Sequence, residues 1–495
     1  MRRDVDIQLF SLLMNASLSI TTSCHARSGP GVWARGLGQG FYNSTKVQRI
    51  IGISFSMRPA RLALLAWRAW LLRSRPSRLS ARDGGQVTRN DISTNAFVLV
   101  LDIRSIIGYL NLTTMNTSPN KVTIDLSALR YNLLKIRELV GEGTRIMGIV
   151  KSDAYGHGMI PVARELEKLH IDYLGVAHLS EAIKLRDEGV KTPVVILLGI
   201  STPQETKTVV DYNLIPIIYG LDSAWMLSEE GKKSGRPINV YLKIDTGMGR
   251  LGIDFKETGL FLKQLMNMKG IMIEGLFSHL SAADQEDDVF TKTQIKNFKE
   301  AISSSRRLGL ELPMNNLANS AGIIRYKEAH FDMVRPGIML YGGLPCPEFA
   351  NPPPLRHLIT FCSSVVQVRE VKHGTPISYG RTFFTDGSRK IAIISAGYGD
   401  GLSRSISNKG QVLIHGQKTR IIGRICMNLT IADVTPIRGV KKGDRVCFLG
   451  KEKKNRITAD DMARWANTIS YEVLCSIGSR NKREYIYEKE VGQDS

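Results

Sequence analysis

The sequence predicts an α/β fold: a (β/α)8 TIM-type barrel, followed by a smaller, mainly β C-terminal domain and preceded by an N-terminal stretch of poor domain character. Three observations carry this. After Lys121, eight short apolar runs alternate with helix-like segments over about 200 residues, the sequence form of a barrel. Past Pro352, Pro353 and Pro354 the helical patterning fades, and short strand-like runs separated by glycine-containing turns take over. Residues 1–120 differ in composition from everything that follows. The expected units are therefore a leader (1–120), a barrel (121–355) and a β domain (356–495).

The leader stands out by charge. The 495-residue chain has a net charge of +21, an invitation to think of nucleic acid or an anionic surface. Residues 1–120 hold 15 Lys and Arg, of which only Lys46 is lysine, with five Asp and no Glu, so +10 of that charge lies there. Gly29 to Gly40 reads as loop, Arg61 to Leu72 is an apolar run too short to cross a bilayer, and Arg73 to Arg82 is rich in Arg and Ser. Such a leader has the composition of an organelle transit or anchoring segment. It also reads as the product of a start codon set too far upstream, with Met115 just before the first patterned segment, or as a nucleic-acid arm. The remaining +11 is spread over 375 residues and requires no nucleic-acid partner.

Composition excludes other classes. A 43% apolar content and a mean hydropathy of −0.10 exclude a mostly disordered chain. No apolar stretch reaches about 18 residues, so no membrane span is expected. Six cysteines without a CxxC pair argue against a disulfide scaffold or a zinc ribbon and fit a reducing, cytoplasmic compartment; no metal site is expected.

The barrel strands are expected at the apolar runs 145–150, 173–177, 194–199, 215–219, 238–244, 271–277, 314–318 and 331–334, with helices over 160–168, 180–188 and 291–308 among those between them. A doubly wound sheet is the competing architecture, but no GxGxxG follows the first strand. The β domain is expected to use runs 361–371, 391–395, 411–414, 420–426 and 445–449, with one helix over 459–467.

Several strings carry chemistry. Lys151 ends the first apolar run and opens Lys151-Ser152-Asp153-Ala154-Tyr155-Gly156-His157-Gly158. A lysine at the carboxyl end of a barrel strand lies where such folds keep their sites, and once desolvated it can act as a Schiff-base nucleophile. An isolated lysine there would more simply be an exposed side chain. Lys243-Ile244-Asp245-Thr246-Gly247-Met248-Gly249-Arg250 again leaves a strand for a glycine-rich turn, where an ordinary salt bridge is the plainer reading. Val334-Arg335-Pro336-Gly337-Ile338 makes a sharp turn whose N–H groups can meet a phosphate. Tyr379 in Ile377-Ser378-Tyr379-Gly380-Arg381 would usually be a packing residue, and His279 in Phe277-Ser278-His279-Leu280 a satisfied core histidine.

Together, from about Lys121 to Tyr487, these strings resemble the alanine racemase family of fold type III, pyridoxal 5'-phosphate (PLP) enzymes. The family usually has Ala-Asn where Ser152-Asp153 stand, and Asp where Asn428 stands. The resemblance implies that Lys151 carries the cofactor and is one catalytic base. Tyr379 is the other, acting on the opposite face of the substrate with help from His279 and Arg335. Arg335 faces the pyridine nitrogen; Tyr155, Ser320 (in Asn319-Ser320), Gly337, Ile338 and Tyr471 contact the phosphate. Arg250, Met427 and the gate residue Tyr398 meet the substrate, and Lys243 is a candidate for carbamylation. The implied reaction is two-base interconversion of L- and D-alanine, supplying D-alanine for peptidoglycan, in a homodimer whose sites are shared between chains. A broader or serine-preferring racemase of the same fold is the nearest alternative. A decarboxylase of similar architecture fits less well, because its pattern places an acid at the pyridine nitrogen where this chain has Arg335. A PLP-holding barrel would lack the second domain.

Overall fold

The computed structural model describes residues 118–346, 349 and 351–487. The leader and its three readings lie outside the described residues. The strands of the barrel region are β2 (Arg145–Ile149), β3 (Tyr173–Val176), β4 (Val194–Ile196), β5 (Ile215–Ile218), β6 (Ile238–Asp245), β7 (Ile253–Asp254), β8 (Ile271–Phe277) and β9 (Met333–Val334), after an earlier β1 (Lys121–Asp125). They pair in parallel in the order β2-β3-β4-β5-β6-β8. Asn316 then bridges Phe277 on one side and Met333 on the other, and β9 pairs with β2, so the sheet closes on itself. Seven of the expected runs form strands, and the run 314–318 contributes only these bridges. Gly275 explains the tight seam there: a Cβ would fall 2.3 Å from the Met314 carbonyl oxygen.

Helices cover the barrel for reasons written locally. In α1 (Leu126–Val140) the Asp125 carboxylate accepts from Ser127 N–H at 2.8 Å, and Leu126, Leu129, Leu133 and Ile136 form one buried stripe. The staves then alternate with α2 (Met159–Lys168), α3 (Leu179–Asp187), α4 (Pro203–Asp211), α5 (Leu221–Lys233), α6 (Thr258–Leu265), α7 (Val289–Arg307) and the short α8 (Ser320–Arg325). Helix α4 opens with Pro203 at its first turn behind Thr202.

The second sheet is built on the 13-residue β10 (Ile359–Val371). Its first half pairs with β1 on one edge and β17 (Arg445–Glu452) on the other. Past an irregularity between Val365 and Gln367, its second half pairs with β13 (Arg389–Ile394). A small β11 (Pro376–Ile377) and β12 (Phe383–Phe384) pair follows β10. The sheet is completed by β14 (Gln411–Ile414), β15 (Gln417–Arg420), β16 (Thr430–Asp433), β18 (Asn455–Ile457) and β19 (Arg483–Ile486). Three expectations are corrected here. Strand β1 belongs to this sheet, paired antiparallel with β10 and parallel with β19, so the described residues enter this sheet first, cross to the barrel and return. The run 420–426 is no strand: β15 ends at Arg420, and Ile421 makes a single bridge to Ala432. Besides the expected helix, α9 (Ala459–Ala466), there is α10 (Ser470–Arg480).

A further correction concerns the cysteines. Cys362 and Cys447 face each other in the β10–β17 register with Cα atoms 4.2 Å apart and are joined by a disulfide. Sequence spacing could not reveal this, because the two residues are 85 apart and meet only through strand pairing. Among the described residues no helix is long and apolar enough to cross a membrane.

Asn132 clasps the barrel to the connection. Fully buried on α1, its amide donates to the Leu340 and Arg356 carbonyls (3.1 and 2.8 Å) and its oxygen accepts from Arg356 N–H at 2.7 Å. Replacing it by leucine strands three backbone groups. Asn132→Leu is expected to lower unfolding stability by about 3 kcal/mol, read from a shift in the denaturant midpoint at unchanged slope.

Candidate active site

Lys151 leaves β2 into a turn of unusual backbone. Ser152, Asp153, Ala154 and Tyr155 all have φ of +54 to +55°, in the left-handed region. That conformation costs a non-glycine residue roughly 1 to 2 kcal/mol, so the turn persists only because its surroundings fix it. Asp153 accepts from Met159 N–H (2.8 Å) and from Arg483 on β19 (2.5 Å), and Arg483 also donates to the Gly156 carbonyl. The departure from the family's Ala-Asn thus carries an ion pair to the C-terminal strand. His157, wholly buried, contacts the Ala154 and Tyr155 carbonyls through Nδ1. Nδ1 must therefore carry the proton, and burial holds the ring's pKa down at about 4, leaving it neutral.

Around Lys151 gather other cations. Burial, then Arg250 and Arg335, depress its amine, while Glu181 raises it. Lys243 on β6 is buried and pushed well below the usual lysine range by desolvation and by Arg335 and Arg250. Both Lys243 (Nζ at 4.6 Å) and Arg335 (Cζ at 4.0 Å) lie over the Phe277 ring. Arg335 is 3% exposed and donates only to neutral acceptors: Asn316 Oδ1, the Ser278 carbonyl (2.5 Å), the Leu317 carbonyl (3.2 Å) and His279 Nδ1 (3.1 Å). Guanidinium cannot accept, so Nδ1 of His279 is the bare nitrogen and its proton sits on Nε2. Burial and the same cations keep His279 neutral, well below its ordinary pKa. Arg250 itself is exposed, on a loop wrapped around Asp245, whose carboxylate accepts from the N–H groups of Gly247, Met248 and Gly249. Asp245 also holds its own pKa down through those bonds, against its desolvation.

A second group forms beside them. Gly337 N–H donates to Ser320 Oγ at 3.0 Å, and a Cβ on Gly337 would fall 2.4 Å from the Tyr155 hydroxyl. The Tyr155 ring packs on Tyr341 and Tyr471 (centroids 4.9 and 5.8 Å), and Ile338 is fully buried. The hydroxyls of Tyr155 and Tyr471 have no protein partner among the described residues. Lys151, Lys243, Arg250, Arg335, His279, Tyr155, Ser320, Gly337, Ile338 and Tyr471 gather at one barrel mouth.

Tyr379, Tyr398 and Met427 do not join it. They are 69%, 36% and 58% exposed on the β domain. Among the described residues no hydrogen bond, ring contact or ion pair links their side chains to the Lys151 cluster. They form their own surface: Ser378 Oγ donates to the Arg424 carbonyl, Tyr398 N–H to Cys426 and Gly399 N–H to Met427. Asn428, where the family has Asp, reaches Asp400 at 3.4 Å.

Comparison with known proteins decides the family. The family models described as "Alanine racemase, N-terminal domain" and "Alanine racemase, C-terminal domain" match residues 124–345 and 358–485. The chain belongs to the alanine racemase family. It is 43% identical over 361 residues to the alanine racemase of Syntrophobacter fumaroxidans, covering 73% of this chain and 96% of the relative. It is 40% identical over 369 residues to that of Halothermothrix orenii, covering 74% and 97%. The solved alanine racemase of Clostridium difficile 630 superposes with a TM-score of 0.69 at 34% identity, covering 75% of this chain and 96% of that one. An alanine racemase from Bartonella henselae, described with covalently bound pyridoxal phosphate, superposes at 0.67 and 30% identity, covering 74% and 99%. The chain is thus an enzyme of the isomerase class.

Reading the sequence missed three supports of this family site. Asn316 lies on an expected strand but was not seen as the acceptor for Arg335. Asp245 organises the Arg250 loop, and its place just after a strand before Thr-Gly is a turn signal. Glu181 touches the backbone after Lys151, and only its third position in α3 marks it.

The cradle at Gly337 is open because glycine has no Cβ. Its φ of −112° and ψ of −89° lie outside the regions that residues with a Cβ favour, so Gly337→Ala adds backbone strain to the clash. The variant is expected to weaken binding of pyridoxal phosphate about tenfold, since displacing the Tyr155 hydroxyl costs about 1 to 3 kcal/mol. Fluorescence titration of the cofactor-free protein measures it.

Proposed function

We propose that this chain interconverts L- and D-alanine using pyridoxal 5'-phosphate at the barrel mouth, as a homodimer in which each site takes Tyr379 from the other copy. The observation that carries this is the unbalanced positive charge around Lys151. Lys151, Lys243, Arg250 and Arg335 share one electrostatic neighbourhood, while the nearby acids Asp245 and Glu181 are engaged by backbone N–H groups. Such a site favours a ligand that brings a phosphate and a phenolate, and a substrate that brings a carboxylate. The Gly337 cradle and the free hydroxyls of Tyr155 and Tyr471, with Ser320 and Ile338 beside them, suit the phosphate.

When bound to Lys151, pyridoxal phosphate supplies an electron sink that acidifies the α-C–H of alanine. Arg335 would face its ring nitrogen. Arginine has no acceptor to offer, so Arg335 would hold that nitrogen unprotonated and keep the sink weak. Proton removal on one face must then be matched by delivery on the other. Lys151, with its depressed pKa, takes the proton of D-alanine. Tyr379 takes that of L-alanine from the opposite face. A phenol ionises near 10 and needs help near neutrality. His279 can give it, because its Nε2–H is left to donate to a phenolate oxygen while Arg335 holds Nδ1. Arg250 orients the substrate carboxylate, with Met427 and Tyr398 from the β-domain surface of the second copy.

The same electrostatics favours carbamylation of Lys243, since only a neutral amine reacts with carbon dioxide and burial, Arg335 and Arg250 push this amine well below the usual lysine range. The resulting anion would brace Arg250. We further propose that the enzyme acts in the cytoplasm and supplies D-alanine for peptidoglycan, the use the family resemblance implies. No nucleic acid or membrane is needed as a partner.

Lys151→Ala is expected to abolish the visible absorbance of bound cofactor together with racemisation; retained colour would refute the assignment. Tyr379→Phe should slow solvent-deuterium uptake into L-alanine more than into D-alanine, by about 100-fold or more, while net racemisation slows equally in both directions because the two enantiomers have equal free energy. Equal losses of uptake would exclude an L-face base. Assaying alanine and serine side by side separates the alanine-specific reading from its serine-preferring alternative.

A further inference from the structure

Glu181 has no part in the motifs above, yet it touches the peptide beside Lys151. It is the third residue of α3, and its Oε2 accepts from the N–H groups of Ala177 (2.8 Å) and His178 (3.3 Å) at the start of its own helix. A glutamate at this position commonly makes that local bond. Here the other oxygen does more. Oε1 accepts from Ser152 N–H at 2.8 Å, so one carboxylate ties the loop after β3 to the backbone after β2. Ser152 is the first of the four residues held in the left-handed region, and the peptide gripped is the one that leaves the Lys151 Cα.

The other anchors of that turn act further along. Asp153 with Arg483, and His157 with the Ala154 and Tyr155 carbonyls, secure its middle and end. Glu181 secures its beginning. We propose that Glu181 is a positioning residue for Lys151: by holding the Ser152 peptide it aims the lysine into the barrel mouth, and it sets a fixed negative charge beside the amine. This rests on Lys151 being the proton-transferring lysine of the proposed reaction.

The groups facing that amine come from several elements. Arg250, from the loop after β6, and Arg335, after β9, lower its pKa, as burial does more strongly. Lys243 on β6 and His279 after β8 belong to the same cluster. Cys475 on α10 faces it from the C-terminal helix, and Glu181 opposes the cations from α3. Removing the Glu181 charge leaves the cations less opposed, so the folded-state pKa of Lys151 must fall.

The test is competitive labelling of amines with trace acetic anhydride in the full-length, cofactor-free protein, with the Lys151 peptide read by mass spectrometry across pH. Glu181→Gln should move the Lys151 midpoint down by about one pH unit. Glu188→Gln, at the far end of the same helix, should leave it in place. Glu181→Asp keeps the charge but is one methylene short of Ser152. It should lower kcat about tenfold or more with KM little changed, because the amine is misaimed. A Glu181→Gln midpoint equal to the parent's, an equal shift in Glu188→Gln, or a parental kcat in Glu181→Asp would each overturn the inference. Labelling needs no cofactor and no turnover. A failed Lys151 shift is therefore distinguishable from a failure of the racemase reading, which would show instead as absent cofactor absorbance and activity.

Discussion

Positive charge buried without a matching protein anion is the constraint around which this barrel mouth is arranged. Arg335 is nearly inaccessible, and its fixed partners are carbonyls, an amide and a neutral imidazole. Burial, with a smaller push from Arg250, brings even this guanidinium down to about 9. A buried charge in this state is costly unless a ligand compensates it. The scaffold therefore supplies strong donors and a depressed pair of lysines while leaving the balancing negative charge to whatever binds. Holding such a cluster together requires rigid supports, and each cation has one. Asn316 and the Ser278 carbonyl hold Arg335, and the Asp245 loop carries Arg250. The left-handed turn carries Lys151.

Those supports come from different staves, which is why the barrel must close for the site to exist. Ser278 follows β8, Asn316 is the reduced seventh stave, and Arg335 follows β9. The Ser278 hydroxyl also joins the Ile244 carbonyl in β6 (2.8 Å) and Thr246 just after it (2.9 Å). A slip of the weak Asn316 seam would move the Arg335 acceptor and leave His279 Nδ1 without its donor. The short seventh stave is thus a structural economy at a functional position: two bridges suffice because Gly275 lets the backbones meet.

Much of this was legible in the sequence. Barrel staves buried on both faces read as continuous apolar runs, and Lys151, Lys243 and Arg335 could be placed at their carboxyl ends without a structure. The rest depends on long-range pairing, which periodicity does not encode. Residues 121–125 fell inside the expected barrel unit with no strand assigned to them, whereas the partners of β1, β10 and β19, lie more than two hundred residues away. The Cys362–Cys447 pair arises from the same sheet. Helix α10 was hidden because Ser470 to Arg480 mixes small and apolar residues and follows α9 after a short break. Glu181 and Asn316 were invisible for a related reason: their partners are a backbone N–H and an arginine on other staves, and no local motif marks such contacts.

Tyr379 shows where the site of one chain stops. Its ring is largely exposed beside Tyr398 and Met427, on a surface stiffened by hydrogen bonds between the loops that carry them. A phenol as a class ionises near 10 and needs a partner to act as a base near neutrality. A neutral histidine with one donor spare, to which no tyrosine among the described residues hydrogen-bonds, is the complementary half of that problem. Neither half does two-sided proton transfer alone. Under the proposed two-base reaction, the Tyr379 surface of one copy would stand against the Lys151 mouth of another. In a two-fold pairing each chain offers both surfaces, so two such sites form at once.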